Sequence, residues 1–132
     1  MMLRLAQAYL ALAALTALLV GLGMLSMPVA FYGSYGIDPT LSPSLASELR
    51  SPGVLLTTIG LFFAYGVISP QWRNLALWAA AVFYLGYATA RTLSLALDGI
   101  PSSGLFAAGA LELALGLAAA ALLLIQRRTI AA

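Results

Sequence analysis

Four long apolar runs divide this chain and constrain its fold more than any other feature. They span about residues 5–27, 45–68, 75–97 and 105–125. Each is close to the roughly 20 residues that an α-helix needs to cross the hydrocarbon core of a bilayer. Backbone polar groups in lipid must be satisfied within the segment, so such runs favour helices. The sequence therefore predicts an all-α fold: an integral membrane four-helix bundle that forms one domain over residues 1–132.

The composition agrees with a membrane protein and excludes several functional classes. Apolar residues make up 63% of the chain and charged residues only 8%, whereas soluble domains carry about 25% charged residues. The chain has no cysteine and no histidine, so it lacks thiolate nucleophiles, the commonest metal ligand and the usual general base. We therefore expect no metal, no cofactor and no catalytic residue, and an enzyme is disfavoured. The arginines are scattered among apolar runs, unlike the clustered basic surface of a nucleic-acid-binding protein.

The arginines also predict an orientation. Alternating helices bring four of them to one side of the membrane, namely Arg4, Arg73, Arg127 and Arg128. Cytoplasmic loops carry the excess of positive charge, so both termini are expected in the cytoplasm (N-in/C-in). Tight turns are predicted at residues 69–73 and 98–101, where proline and glycine interrupt the apolar runs. The longer gap at residues 28–44 is either an interfacial loop or a lid over an outer pocket.

Three charges lie inside the predicted helices at similar depth. A helix rises about 1.5 Å per residue, which puts Glu112 about 13 Å and Arg91 about 10 Å below the outer ends of their helices. Arg50 lies about 8 Å deep in the second helix by the same arithmetic. A charge at the centre of a membrane helix costs about 2.5–3.5 kcal/mol. We therefore expect Arg91 to pair with Glu112 through two hydrogen bonds, inside a buried polar cluster of the outer-leaflet half.

Helical spacing groups further polar residues with these charges. One face of the third helix carries Tyr84, Tyr87, Arg91 and Ser94. Arg50 shares its face of the second helix with small and hydroxyl residues, and Glu112 is flanked by glycines on the fourth. Asp98 ends the third helix, where it either closes its own Asp-Gly turn or pairs with Arg91. The candidate site therefore consists of Arg50, Arg91, Glu112, Asp98, Tyr87, Tyr84 and Ser94.

Three functional interpretations remain open for this cluster. Two arginines against one glutamate leave a net positive site, which suits an anionic or carbonyl-bearing amphiphile such as a lipid or a quinone-like molecule. The same residues are consistent with a purely structural salt bridge that fixes helix packing. A small proton-coupled transporter is the third interpretation, although a carboxylate held by arginine exchanges protons poorly. Tyr84 and Tyr87 are expected to be packed core residues more often than ligand contacts.

The stretch ARTLSLALDGIPS, residues 90–102, carries a family resemblance. It resembles the signature of a bacterial four-helix membrane family, domain of unknown function 4345, which reads Gly-Arg-x-x-Ser-x-x-x-Asp-Gly-x-Pro. A Leu-Arg-x-x-Gly segment precedes this signature, and a glutamate follows it in the last helix. The matching positions are Arg91, Ser94, Asp98, Gly99, Pro101, Leu49, Arg50, Gly53 and Glu112. The chain departs from the pattern in having Ala90 for the first glycine and Pro52 soon after Arg50.

The resemblance implies a multi-pass protein of the bacterial inner (cytoplasmic) membrane and no established activity. A looser similarity is to the DoxX-like group of small four-helix proteins, some of which accompany quinol-oxidising or other redox systems. The expected partners are bilayer lipid and a lipid-like or quinone-like small molecule. Small residues such as Gly116 and Ala120 also permit a homo-oligomer or a membrane protein partner.

Overall fold

The computed structural model describes the backbone of residues 2–37 and 42–131 and the side chains of residues 3–37 and 42–126. Its helices are α1 (Met2–Ser26), α2 (Pro28–Gly33), α3 (Pro43–Ile68), α4 (Pro70–Asp98) and α5 (Ser103–Ala131). No strand occurs among the described residues, which confirms the all-α prediction. The four apolar runs coincide with the four long helices. The described chain nevertheless has five helices, because the short α2 lies in the gap where a loop is expected.

Three of the helices are long and apolar enough to cross a membrane. They are Leu3–Ser26, Pro43–Ile68 and Ser103–Gln126. The remaining long helix, α4, is the least apolar of the four, since it carries Arg73, Arg91 and Asp98 together with several uncharged polar residues. A crossing by α4 therefore stays a prediction, as does the orientation of the termini.

Proline sets the start of three helices. Pro28, Pro43 and Pro70 each occupy a first-turn position, where the missing N–H group costs nothing. The hydroxyl of Ser42 caps α3 by accepting a hydrogen bond from the backbone N–H of Leu45 at 3.2 Å. The turn predicted at residues 69–73 is too long, because Pro70 begins α4 directly and only Ser69 separates the two helices.

The long helices pack as two antiparallel pairs, α1 with α3 and α4 with α5. Glycine makes the first pair close: a Cβ added at Gly21 would lie 2.6 Å from the backbone nitrogen of Thr57. In the second pair, a Cβ at Gly116 would lie 2.9 Å from the backbone nitrogen of Leu85. Small residues let helix backbones approach in a medium that provides no hydrophobic driving force between them.

The buried core joins the two pairs toward one end only. Its largest fully buried side chains are Leu10, Phe63 and Leu77, and two tyrosine hydroxyls donate hydrogen bonds to helix carbonyls across it. Tyr84 bonds Ala13 and Tyr9 bonds Leu115, both at 2.9 Å. The last buried residue of α4 is Ala88. Beyond it, toward the connection at residues 99–102, the α4/α5 pair separates from the α1/α3 pair and leaves a cavity.

Candidate functional site

A partly open cavity of about 770 Å³ lies between the two helix pairs. All five helices contribute to its wall, which is mostly aliphatic and aromatic; examples are Val20 and Met24 from α1, Leu56 from α3 and Leu111 from α5. Polar atoms enter the wall chiefly from Arg91, Glu112 and four tyrosines. Ligand sites of proteins commonly combine such an apolar wall with a few converging polar groups.

Arg91 and Glu112 form an ion pair in this wall. Nε of Arg91 donates to one carboxylate oxygen of Glu112 at 2.5 Å, and Nη2 donates to the other at 2.9 Å. The side chains are 34% and 16% exposed, respectively. Gly109, one turn before Glu112, makes room for the pair, since a Cβ there would lie 3.0 Å from Cδ of Arg91. The two-bond geometry that the sequence predicts is therefore present between α4 and α5.

Four tyrosines line the same cavity in two different ways. The hydroxyl of Tyr84 is buried and bonded to Ala13, so this residue ties α4 to α1. The hydroxyls of Tyr32, Tyr35 and Tyr87 make no hydrogen bond within the described part of the chain. Burial raises the pKa of Tyr32, with the nearby Tyr87 phenol as a second cause. Tyr32 is therefore a neutral phenol that can both donate and accept.

The segment from Pro28 to Ile37 forms one wall of the cavity. Phe31 of α2 contacts Gly23, where an added Cβ would lie 3.0 Å from its ring. Four residues later, the ring of Tyr35 contacts Gly104 at the start of α5, again at 3.0 Å from an added Cβ. The segment thus connects α1 with α5 across the separated end of the bundle. The choice between a lid and a plain loop stays open, and residues 38–41 of the gap lie outside the described residues.

Arg50 does not line the cavity with Arg91 and Glu112. Its side chain is exposed and makes no hydrogen bond or ion pair with any described residue. Arg50 does share a helix face with Gly53 and Gly60, as the spacing predicts, but that face packs on α1. Since α1 ends opposite Gly53, Arg50 extends beyond the contact. The excess of positive charge expected in the site is therefore missing from the described cavity wall.

Asp98 and Ser94 also lie outside the cavity. Ser94 donates a hydrogen bond to a carboxylate oxygen of Asp98 at 2.7 Å, and both residues are exposed on the last turn of α4. Gly99 ends the helix with φ of 94°, a backbone conformation that favours glycine. The carboxylate of Asp98 therefore neither closes its own Asp-Gly turn nor pairs with Arg91. Among the described residues, no group of three or more acidic side chains is placed to hold a metal ion.

Arg73, which is predicted to lie in a cytoplasmic turn, is a buried charge in the first turn of α4. It is only 7% exposed, and its guanidinium donates to the carbonyls of Gly66 at 3.1 Å and Val67 at 2.8 Å. Gln7 of α1 also donates to Val67. The last carbonyls of a helix lack partners within it, and a cation there complements the helix dipole. The sequence signal for this contact was the position of Arg73, four residues after Ser69, the residue that ends α3.

Comparison with known proteins agrees with the resemblance at Arg91 to Pro101. No curated protein and no solved structure matches this chain. One family model matches residues 5–123, which is nearly the whole chain. Its description is domain of unknown function (DUF4345), so the family predicted from the sequence is confirmed, while the looser DoxX-like similarity stays a prediction. The chain belongs to the DUF4345 family.

Proposed function

We propose that this protein binds a lipid-like or quinone-like amphiphile in the cavity between its two helix pairs, as a four-crossing protein of a bacterial inner membrane. The observation that carries the proposal is the cavity itself, about 770 Å³ with Arg91 and Glu112 in an otherwise mostly apolar wall. Small-molecule sites commonly measure about 300–1,000 Å³. An apolar tail would contact the aliphatic wall, and a polar head group would lie near the ion pair.

The same geometry supports a membrane location for α4. This helix has 29 residues and would be about 43 Å long, enough to cross a bilayer. Its arginines do not face lipid unpaired, because Arg73 bonds the end of α3 and Arg91 bonds Glu112. With α4 as a fourth crossing, the positive-inside rule puts both termini in the cytoplasm.

Filling the cavity tests the proposal. In Ala108→Phe, a ring on α5 occupies space at a cavity-lining residue, so co-purifying lipid or quinone-like molecules should fall several-fold in organic extracts analysed by mass spectrometry. Ala118→Phe is the matched control, because Ala118 is exposed on the same helix and does not line the cavity. Its extract should resemble that of the wild-type protein.

The result also separates binding from the structural alternative. If both phenylalanine variants retain the same bound molecules, or if the wild-type protein retains none, the cavity has no ligand role. The ion pair would then serve only to join α4 to α5. A transporter is disfavoured by both hydrogen bonds between Glu112 and Arg91, since proton exchange at that carboxylate would first have to break them.

A further inference from the structure

One end of the cavity carries hydrogen-bonding groups that the fold does not use. The hydroxyls of Tyr32, Tyr35 and Tyr87 have no hydrogen-bond partner in the described part of the chain. Arg91 bonds Glu112 through Nε and Nη2 only, so its Nη1 has no partner there either. None of these atoms is sealed away from solvent, because every fully buried side-chain nitrogen or oxygen among the described residues is bonded.

These groups converge on one region, although they come from three parts of the chain. Tyr32 belongs to α2, Tyr35 to the turn after it, and Tyr87 and Arg91 to successive turns of α4. Phenol hydroxyls and a guanidinium N–H are donors, and the phenols also accept. Polar groups that face an apolar cavity without partners cost free energy unless water or a ligand satisfies them.

The net charge of the site restricts what such a ligand can be. Glu112 neutralises Arg91 through two hydrogen bonds, and no other charged side chain lines the cavity within the described residues. The ion pair carries no net charge, so an anionic or a cationic head group finds no unpaired opposite charge in the wall to offset the cost of its own desolvation.

We infer that the cavity selects an uncharged amphiphile whose head group carries several hydroxyl, carbonyl or ester oxygens. This inference rests on the proposed function and narrows it from amphiphiles in general to neutral, oxygen-rich ones. Tyr32, Tyr35, Tyr87 and Nη1 of Arg91 bind the head group, while the ion pair sets the charge selectivity.

A matched pair of lipids tests the charge selectivity. 1-Oleoylglycerol and 1-oleoylglycerol phosphate share one acyl chain and one glycerol and differ only in the phosphate. Native mass spectrometry with both lipids in the same detergent at the same concentration gives the bound fraction of each. We expect the uncharged lipid to bind at least tenfold more tightly than the phosphate.

Single hydroxyl deletions test the assigned residues. Tyr32→Phe and Tyr87→Phe should each weaken 1-oleoylglycerol binding about two- to tenfold, the usual effect of one hydrogen bond. Their melting temperatures should stay unchanged, since neither hydroxyl has a partner among the described residues. Tyr84→Phe is the control for a structural hydroxyl. The hydroxyl of Tyr84 donates a hydrogen bond to the carbonyl of Ala13, so the melting temperature of this variant should fall.

The possible results distinguish this inference from the proposed function. Equal binding of the two lipids, or tighter binding of the phosphate or of a zwitterionic oleoyl lysophospholipid, overturns the selectivity and leaves amphiphile binding intact. Unchanged affinity in Tyr32→Phe and Tyr87→Phe overturns the assigned residues. If no lipid binds and Ala108→Phe changes nothing, both proposals fall together.

Discussion

At the scale of single residues, each arginine with a buried or partly buried side chain in the described helices has a specific partner. Arg91 has the carboxylate of Glu112, and Arg73 has the carbonyls at the end of α3. Arg50 has no such partner among the described residues and is exposed. The comparison indicates that burial, more than sequence position within an apolar run, decides whether an arginine needs a partner.

Arg73→Gln should therefore destabilise the protein far more than Arg50→Gln. The first change removes two hydrogen bonds from a charged donor to the last carbonyls of α3, and we expect a loss of about 2–4 kcal/mol. The second removes an exposed charge and should change stability by less than about 0.5 kcal/mol. Thermal unfolding in detergent, followed by circular dichroism, measures both. Equal shifts for the two variants would contradict the capping role of Arg73.

At the scale of elements, glycine decides how closely the helices pack. Gly21, Gly53 and Gly60 lie where α1 and α3 touch, and an added Cβ at each would come within 3.0 Å of the opposite helix. Gly86 of α4 has nothing within 4 Å of its added Cβ. The glycines therefore fall into two groups, and only the first group allows two helices to pack closely.

The same substitution should have opposite effects in the two groups. Gly21→Ala forces Cβ to within 2.6 Å of backbone nitrogen in α3, so the helices must move apart, at a cost of about 1–3 kcal/mol. Gly86→Ala adds a methyl group in open space and should stabilise α4 by about 0.5–1 kcal/mol, since glycine is a poor helix former. Melting temperatures of the two variants in the same detergent should shift in opposite directions. A stable Gly21→Ala protein would exclude the close contact.

At the scale of the whole molecule, the cavity results from uneven packing of two helix pairs. Each pair makes close contacts at its glycines, but the buried core between the pairs ends near Tyr84 and Ala88. The segment from Pro28 to Ile37 covers the separated end. The buried core therefore holds the helices together toward one end, and the cavity of the proposed binding site lies toward the other.

The number of crossings can be tested because the chain contains no cysteine. Single cysteines at Gln71 and Ser102, both exposed at the two ends of α4, report the side of the membrane that each end faces. With four crossings and N-in/C-in orientation, a membrane-impermeant maleimide should label Ser102→Cys in intact spheroplasts and Gln71→Cys only after lysis. Labelling of both in intact spheroplasts, or of neither, would mean that α4 does not cross.

The sequence by itself determined the all-α class, the positions of the long helices and the family. These properties depend on local information, namely hydropathy over about 20 residues, proline at helix starts and a short motif around Arg91. The pairing of Arg91 with Glu112 was also predictable, because depth follows directly from helical rise and a buried charge needs an opposite one.

Only the tertiary structure decided which partner each helix face meets. Arg50, Gly53 and Gly60 do share one face of α3, as their spacing predicts. That face packs on α1, however, so Arg50 does not reach the cavity. The same holds for Tyr84 and Tyr87, neighbours on one helix, of which one hydroxyl bonds Ala13 and the other has no bond among the described residues. Periodicity defines the angle of a side chain about its own helix axis, whereas contact depends on how the helices are arranged around each other.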